Sequence, residues 1–67
     1  MIKIREKNPL FIHNLIGKRI ELLCPVDDYE TGDEGEIVGA DGNGMVKILM
    51  DYDEQHIWIE IEDISIL

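Results

Sequence analysis

Acidic residues crowd two short stretches of this chain, each around a tyrosine. Asp27, Asp28, Glu30, Asp33 and Glu34 surround Tyr29, and Asp51, Asp53 and Glu54 surround Tyr52. Carboxylates at such density can hold a hard cation, face a cationic partner, or simply keep a surface hydrated. The spacing speaks against the cation. Asp51-x-Asp53-x-Gln55 resembles the opening of an EF-hand loop, with Glu62 in twelfth place, but the sixth place holds His56 instead of the glycine the turn requires. Asp41-x-Asn43 lacks a third oxygen ligand, because Met45 follows. His13 and His56 have no cysteine or histidine at ligand spacing, so zinc is not expected.

Nucleophilic chemistry fares no better. Thr31 and Ser65 are the only hydroxyl side chains of their type, and neither has a histidine nearby to activate it. Cys24 precedes Pro25 and is expected on the inward face of a strand with Ile20 and Leu22, as a small core residue. Asp41-Gly42-Asn43-Gly44 reads as a hairpin, not as a phosphate-binding loop. No catalytic residue, metal site or cofactor site is expected, and the chain is read as a non-enzyme.

Recognition remains. Trp58 falls on the outward face of a strand beside His56, Glu60 and Glu62, and the tyrosines lie in the acidic loops. Exposed aromatics rimmed by acids are the kind of patch that anchors a protein partner. The candidate contact residues are therefore Asp27, Asp28, Tyr29, Glu30, Tyr52, Asp53 and Trp58. Two plainer readings stay open: Trp58 can cover one end of a barrel, and the acids can be a solvated face.

The formal charge of −9 is unevenly distributed. Residues 1–19 carry Lys3, Arg5, Lys7, Lys18 and Arg19 against Glu6, net +4, whereas residues 20–67 carry Lys47 alone against fourteen acids, net −13. So acidic a surface repels phosphate backbones, so direct nucleic-acid binding is not expected, although the basic residues 3–19 leave a minor route to it. A basic protein partner is the natural complement.

These loops need a scaffold. The chain has 67 residues, which allows one domain, and 45% of them are hydrophobic, enough for a core without disulfides. The single cysteine excludes an intramolecular disulfide, which favours a cytoplasmic setting for so small a domain. Met1-Ile2-Lys3-Ile4-Arg5 lacks a signal-peptide core, and no apolar run approaches the ~18 residues of a membrane span.

Ile2 and Ile4 alternate with Lys3 and Arg5, as in a short edge strand or an ordered arm. Asn8 as cap, Pro9 at the first position and Gly17 as terminator frame one or two helical turns, with Leu10, Phe11 and Leu15 on one face. From Lys18 the period becomes two, and Pro25 ends the first strand. Strands are expected at 36–40, 45–50 and 56–62, with Ile57, Ile59 and Ile61 inward in the last of these, and Ser65-Ile66-Leu67 closes the sheet. Short strands separated by turn signals imply a small all-β barrel that hides its edges by closure. Ile20, Leu22, Ile37, Val46, Ile48, Ile57, Ile59 and Ile61 are the expected core.

Gly17-Lys18-Arg19-Ile20-Glu21-Leu22, then Gly32-Asp33-Glu34-Gly35-Glu36-Ile37-Val38, then Val46-Lys47-Ile48-Leu49-Met50-Asp51 and the closing Glu62-Asp63-Ile64-Ser65-Ile66-Leu67 resemble bacterial and phage SH3-like barrels. That fold is shared by the photosystem I small stromal subunit, the ferredoxin–thioredoxin reductase variable chain and KOW-type domains. The resemblance covers residues 17–67 and implies an all-β, five-stranded SH3-like barrel; residues 1–16 lie outside it and are expected as an N-terminal arm or helical turn packed on the barrel. The paired tryptophans of peptide-binding SH3 domains are missing, since Trp58 stands alone. Some acidic SH3-like proteins imitate nucleic acid and occupy a DNA-binding face. The functional expectation is accordingly a monomeric, acidic protein-binding module, in its sharper form a phage or mobile-element inhibitor. The alternative is a small accessory or structural subunit of a larger enzyme complex, docked through Leu10, Phe11, Leu15 and Ile16.

Overall fold

The computed structural model describes residues 2–3 and 12–67. Its elements are β1 (Ile2–Lys3), β2 (Arg19–Leu22), β3 (Glu34–Ala40), β4 (Met45–Met50), β5 (His56–Glu60), a 3-10 turn (Ile61–Asp63) and β6 (Ile64–Ile66). They form one antiparallel sheet in the order β1-β6-β2-β3-β4-β5. The protein is all-β, as expected, with a small barrel-like fold.

β4 shows why. Val46, Ile48 and Met50 alternate with half-buried neighbours and are themselves buried, so one face of the strand is fixed by the two-residue period. Ile20 and Leu22 of β2, Ile37 of β3, Ile59 of β5, and Ile61 and Ile64 after it join the same cluster. Every strand from β6 to β5 in the sheet order thus shares one core, which requires a strongly curled sheet. A β-bulge in β3 helps the curl. The register runs from Ile37↔Ile48 to Gly39↔Lys47, leaving Val38 as the extra residue and adding local twist.

Gly35 fixes where β3 meets β4. A Cβ there would lie 2.6 Å from the Leu49 carbonyl oxygen and 2.7 Å from Ile48 Cγ2. Only a residue without a side chain lets the two strands approach at this point.

Several boundaries differ from the sequence reading. β2 stops at Leu22, not at Pro25, although the Leu23 N–H still donates to the Asp63 carbonyl in register with β6. Cys24 is therefore half-buried and outside the core cluster, not an inward core residue. β5 stops at Glu60, and Ile61 enters the 3-10 turn while donating its N–H to the Gly44 carbonyl. Ile57 is only half-buried at the edge of the core. Among the described residues β1 and β5 are not paired with each other, so the sheet curls without an unbroken ring of hydrogen bonds.

Ile2–Lys3 is an edge strand on β6, through Ile2↔Ile66 and Lys3↔Ser65. Ile12 and His13 are helical, 14–17 turn, and Gly17 adopts φ +96°, the left-handed terminator its sequence position implied. Ile12 and Leu15 are buried in the core. The rest of the expected arm and helix, including Ile4, Asn8, Pro9, Leu10 and Phe11, lies outside the described residues.

Candidate functional site

The acidic loop after β2 folds back on the strand it leaves. Gly32 donates to the Leu22 carbonyl at 2.8 Å, and Leu22 donates to the Asp33 carbonyl at 2.9 Å. Within it, Val26 and Tyr29 exchange backbone hydrogen bonds of 3.2 and 2.8 Å around Asp27-Asp28. Asp27 sits at φ +51°, a conformation that aspartate and asparagine tolerate better than most residues. Glu30 N–H donates to Asp33 Oδ2 at 3.0 Å and sets the next turn.

The β4–β5 turn is built from its own acids. Glu54 N–H donates to the Met50 carbonyl at 3.0 Å, with Glu54 at φ +58°. Gln55 N–H donates to Asp53 Oδ1 at 3.1 Å. Two side-chain contacts then fix this turn to the rest of the molecule. Tyr29 Oη lies 2.8 Å from both carboxylate oxygens of Asp53 and donates to that group. Arg19 meets both oxygens of Asp51, through Nη1 at 3.0 Å and through Nη2, and lies 3.5 Å from Glu34.

The electrostatics follow. Desolvation comes first in raising the Tyr29 hydroxyl to about 12, followed by its hydrogen bond to Asp53 and the negative field of Asp53, Asp27 and Asp28. The Arg19 hydrogen bond holds the Asp51 carboxyl below its ordinary range, against a smaller opposing effect of desolvation. The same bond raises Arg19 further above its already high value.

Six of the seven residues expected at a contact site come together here. One cleft, of about 610 Å³, is lined by Asp27, Asp28, Tyr29, Asp53, Gln55 and Ile57. A neighbouring one, of about 520 Å³, is lined by Asp28, Tyr29, Glu30, Asp33, Tyr52 and Asp53. Their roles differ. Tyr29 is 7% exposed and packs into the core, so it forms a wall, whereas Tyr52 is 86% exposed at the tip of the β4–β5 turn.

Trp58 stands apart. It is 49% exposed on the outer face of β5, opposite Lys47 of β4, and lines neither cleft. It faces outward as expected, but it does not join the loop aromatics.

Sequence reasoning missed Arg19 and Ile57 at this site. Arg19 is 32 residues from Asp51, and no local pattern joins them. Ile57 continues the inward alternation of β5, but at the start of the strand that face opens into the first cleft. Among the described residues, no three His, Cys, Asp or Glu side chains are grouped closely enough to hold a metal ion. No helix among them is long and apolar enough to cross a membrane. The chain matches no protein-family model and no curated protein, so the chemistry of these two clefts is what bears on function.

Proposed function

We propose that this chain is a non-enzymatic, acidic protein-binding module that docks on a basic protein surface through its two acidic loops. The carrying observation is the convergence of Asp27, Asp28, Tyr29, Glu30, Tyr52 and Asp53 around adjacent clefts, although the two loops lie far apart in sequence. The net charge of −13 over residues 20–67 supports the reading, because it steers a cationic partner and disfavours direct contact with nucleic acid.

In the sharper form of this reading the chain is an SH3-like inhibitor of phage or mobile-element origin, whose carboxylates occupy a DNA-binding face. A cytoplasmic setting accords with the single cysteine. The accessory-subunit reading is the weaker one. Leu15 is buried in the chain's own core, leaving Ile16, 41% exposed, as the apolar residue of that proposed patch within the described residues.

The test is to immobilise the chain and pass a lysate of its native cell over it. Retained proteins are eluted by a salt gradient or challenged with duplex DNA. The module reading expects basic proteins released at moderate salt, and the mimic form also expects their displacement by duplex DNA. Retention of none, or retention indifferent to salt, sinks the reading. DNA that fails to displace them removes the mimic form alone.

A further inference from the structure

We infer that the outer edge of β5 pairs with the β5 edge of a second copy of this chain, giving a two-fold dimer centred on Trp58. The inference is independent of the docking reading, since Trp58 lines neither acidic cleft.

Backbone direction defines the edge. Gln55 accepts from the Met50 N–H, and Ile61 donates to the Gly44 carbonyl, so the odd-numbered residues of β5 are those that bond β4. His56, Trp58 and Glu60 therefore turn their N–H and C=O groups away from β4. Among the described residues no strand pairs with that edge.

The edge is also undefended. Proteins blunt such edges by shortness, proline, lysine or a bulge. β1, at the other end of the sheet, is two residues long. β5 is five residues long, holds no proline or lysine, and runs against β4 without a register shift. Its sequence, His-Ile-Trp-Ile-Glu, is rich in residues that favour strands.

The register selects a second copy as the occupant. Antiparallel pairing centred on Trp58 sets Trp58 against Trp58, His56 against Glu60 and Ile57 against Ile59. The even-numbered residues are the ones whose backbone groups face the partner, so hydrogen-bond parity and side-chain symmetry agree at this register. An imidazole N–H meets a carboxylate, aliphatic meets aliphatic, and two indoles lie side by side. Sliding the copies by two residues would set Trp58 against His56 or Glu60 and lose the indole pair. The pairing also covers two apolar side chains that the single chain leaves open: Trp58, 49% exposed, and the half-buried Ile57. Lys47 stands opposite Trp58 on β4, so a cation flanks each ring of the pair. Glu60 has a contact of its own within the chain, and the central tryptophans carry the association.

The experiment follows the full chain by sedimentation velocity from roughly 10 µM to 1 mM, because a single strand pair buries little area and holds weakly. A reversible monomer–dimer equilibrium should appear. Added sodium chloride should strengthen it, since two copies of net charge −9 repel one another. In an equal mixture of isotope-labelled and unlabelled chain, intermolecular NOEs should join Ile57 to Ile59 and the Trp58 ring to its copy. Trp58→Lys should weaken the dimer about tenfold or more, a change of about 1.4 kcal/mol. Trp58→Pro removes the outward N–H while sparing the bonds to β4, and should weaken it as much. Leu67→Ser, at an equally exposed apolar residue outside β5, should change it less than about twofold. Thermal unfolding of each variant shows that it is folded, and Trp58→Lys decides if the proline variant is not.

A chain that stays monomeric throughout that range, a dimer that weakens with salt, equal losses at Trp58 and Leu67, or intermolecular NOEs at other residues would each overturn the β5 seam.

Discussion

At the scale of single residues, Tyr29 joins the core to the surface. Its ring packs in the hydrophobic cluster while its hydroxyl donates to Asp53 in another loop. The hydroxyl is raised from 10.0 to about 12, so the folded protein favours the protonated phenol. The stabilisation linked to this group is complete below pH 10 and is lost as pH rises from about 10 to about 12. In a Tyr52→Phe variant, whose remaining phenol is Tyr29, phenolate absorbance should rise near pH 12, and the urea midpoint should fall over the same interval. Ionisation near pH 10 would mean that the contact with Asp53 does not persist in solution. Asp51 behaves oppositely. Its carboxyl is lowered by Arg19, so its contribution is present above the ordinary carboxylate range and disappears as acid protonates it. Asp51→Asn should therefore flatten the acid limb of the stability profile measured by denaturant unfolding.

The residue scale also shows what was legible. Acids and tyrosines at short spacing marked both loops as one candidate surface, and composition alone suffices for that. Trp58 could not be placed in the same way. Alternation gave its face correctly, but distance across a sheet depends on register, which Lys47↔Trp58 fixes only in three dimensions. Arg19 gave no signal, since a single basic residue at the start of a strand looks like any solvated end.

At the scale of elements, β4 was readable to its ends because strict alternation between two loops leaves no other solution. The bulge at Val38 was not readable. Val38, Gly39 and Ala40 are all small enough to shift register without leaving a polar group inside. The end of β5 was hidden for a related reason. Ile61 is inward whether it continues a strand or begins a 3-10 turn, and its N–H still bonds the Gly44 carbonyl in the register of β4 and β5, so neither pattern nor pairing marks the change. Gly35 carries the clearest prediction. Gly35→Ala places a methyl group against a backbone oxygen that cannot rotate away, so β3 and β4 must separate. The expected loss is about 1–3 kcal/mol in urea unfolding. A variant as stable as the parent would show that the two strands are farther apart than described. Ile48→Ala, at a fully buried position two residue pairs along, should cost about 2–5 kcal/mol through the cavity it leaves.

At the scale of the whole molecule, the excess of acids should make the fold respond to salt in a characteristic direction. Among the described residues the ion pairs centre on Arg19, while the net charge is −9 over the chain. Screening removes more repulsion than attraction in such a case. The thermal midpoint should therefore rise as sodium chloride is increased toward about 1 M, where the Debye length falls to about 3 Å. A falling midpoint would show that the Arg19 contacts outweigh the general repulsion.

The β4–β5 turn is fastened on both sides of its most exposed ring: Asp51 is held by Arg19, Asp53 by Tyr29, and Tyr52 stands between them. The backbone beneath Tyr52 has little freedom left to surrender, so under the proposed docking the entropic penalty of association at this point is small. Under the proposed docking, affinity should consequently depend on Arg19, and Arg19→Ala should hasten dissociation even though it leaves the Asp51 and Glu34 carboxylates uncompensated beside the acidic loops.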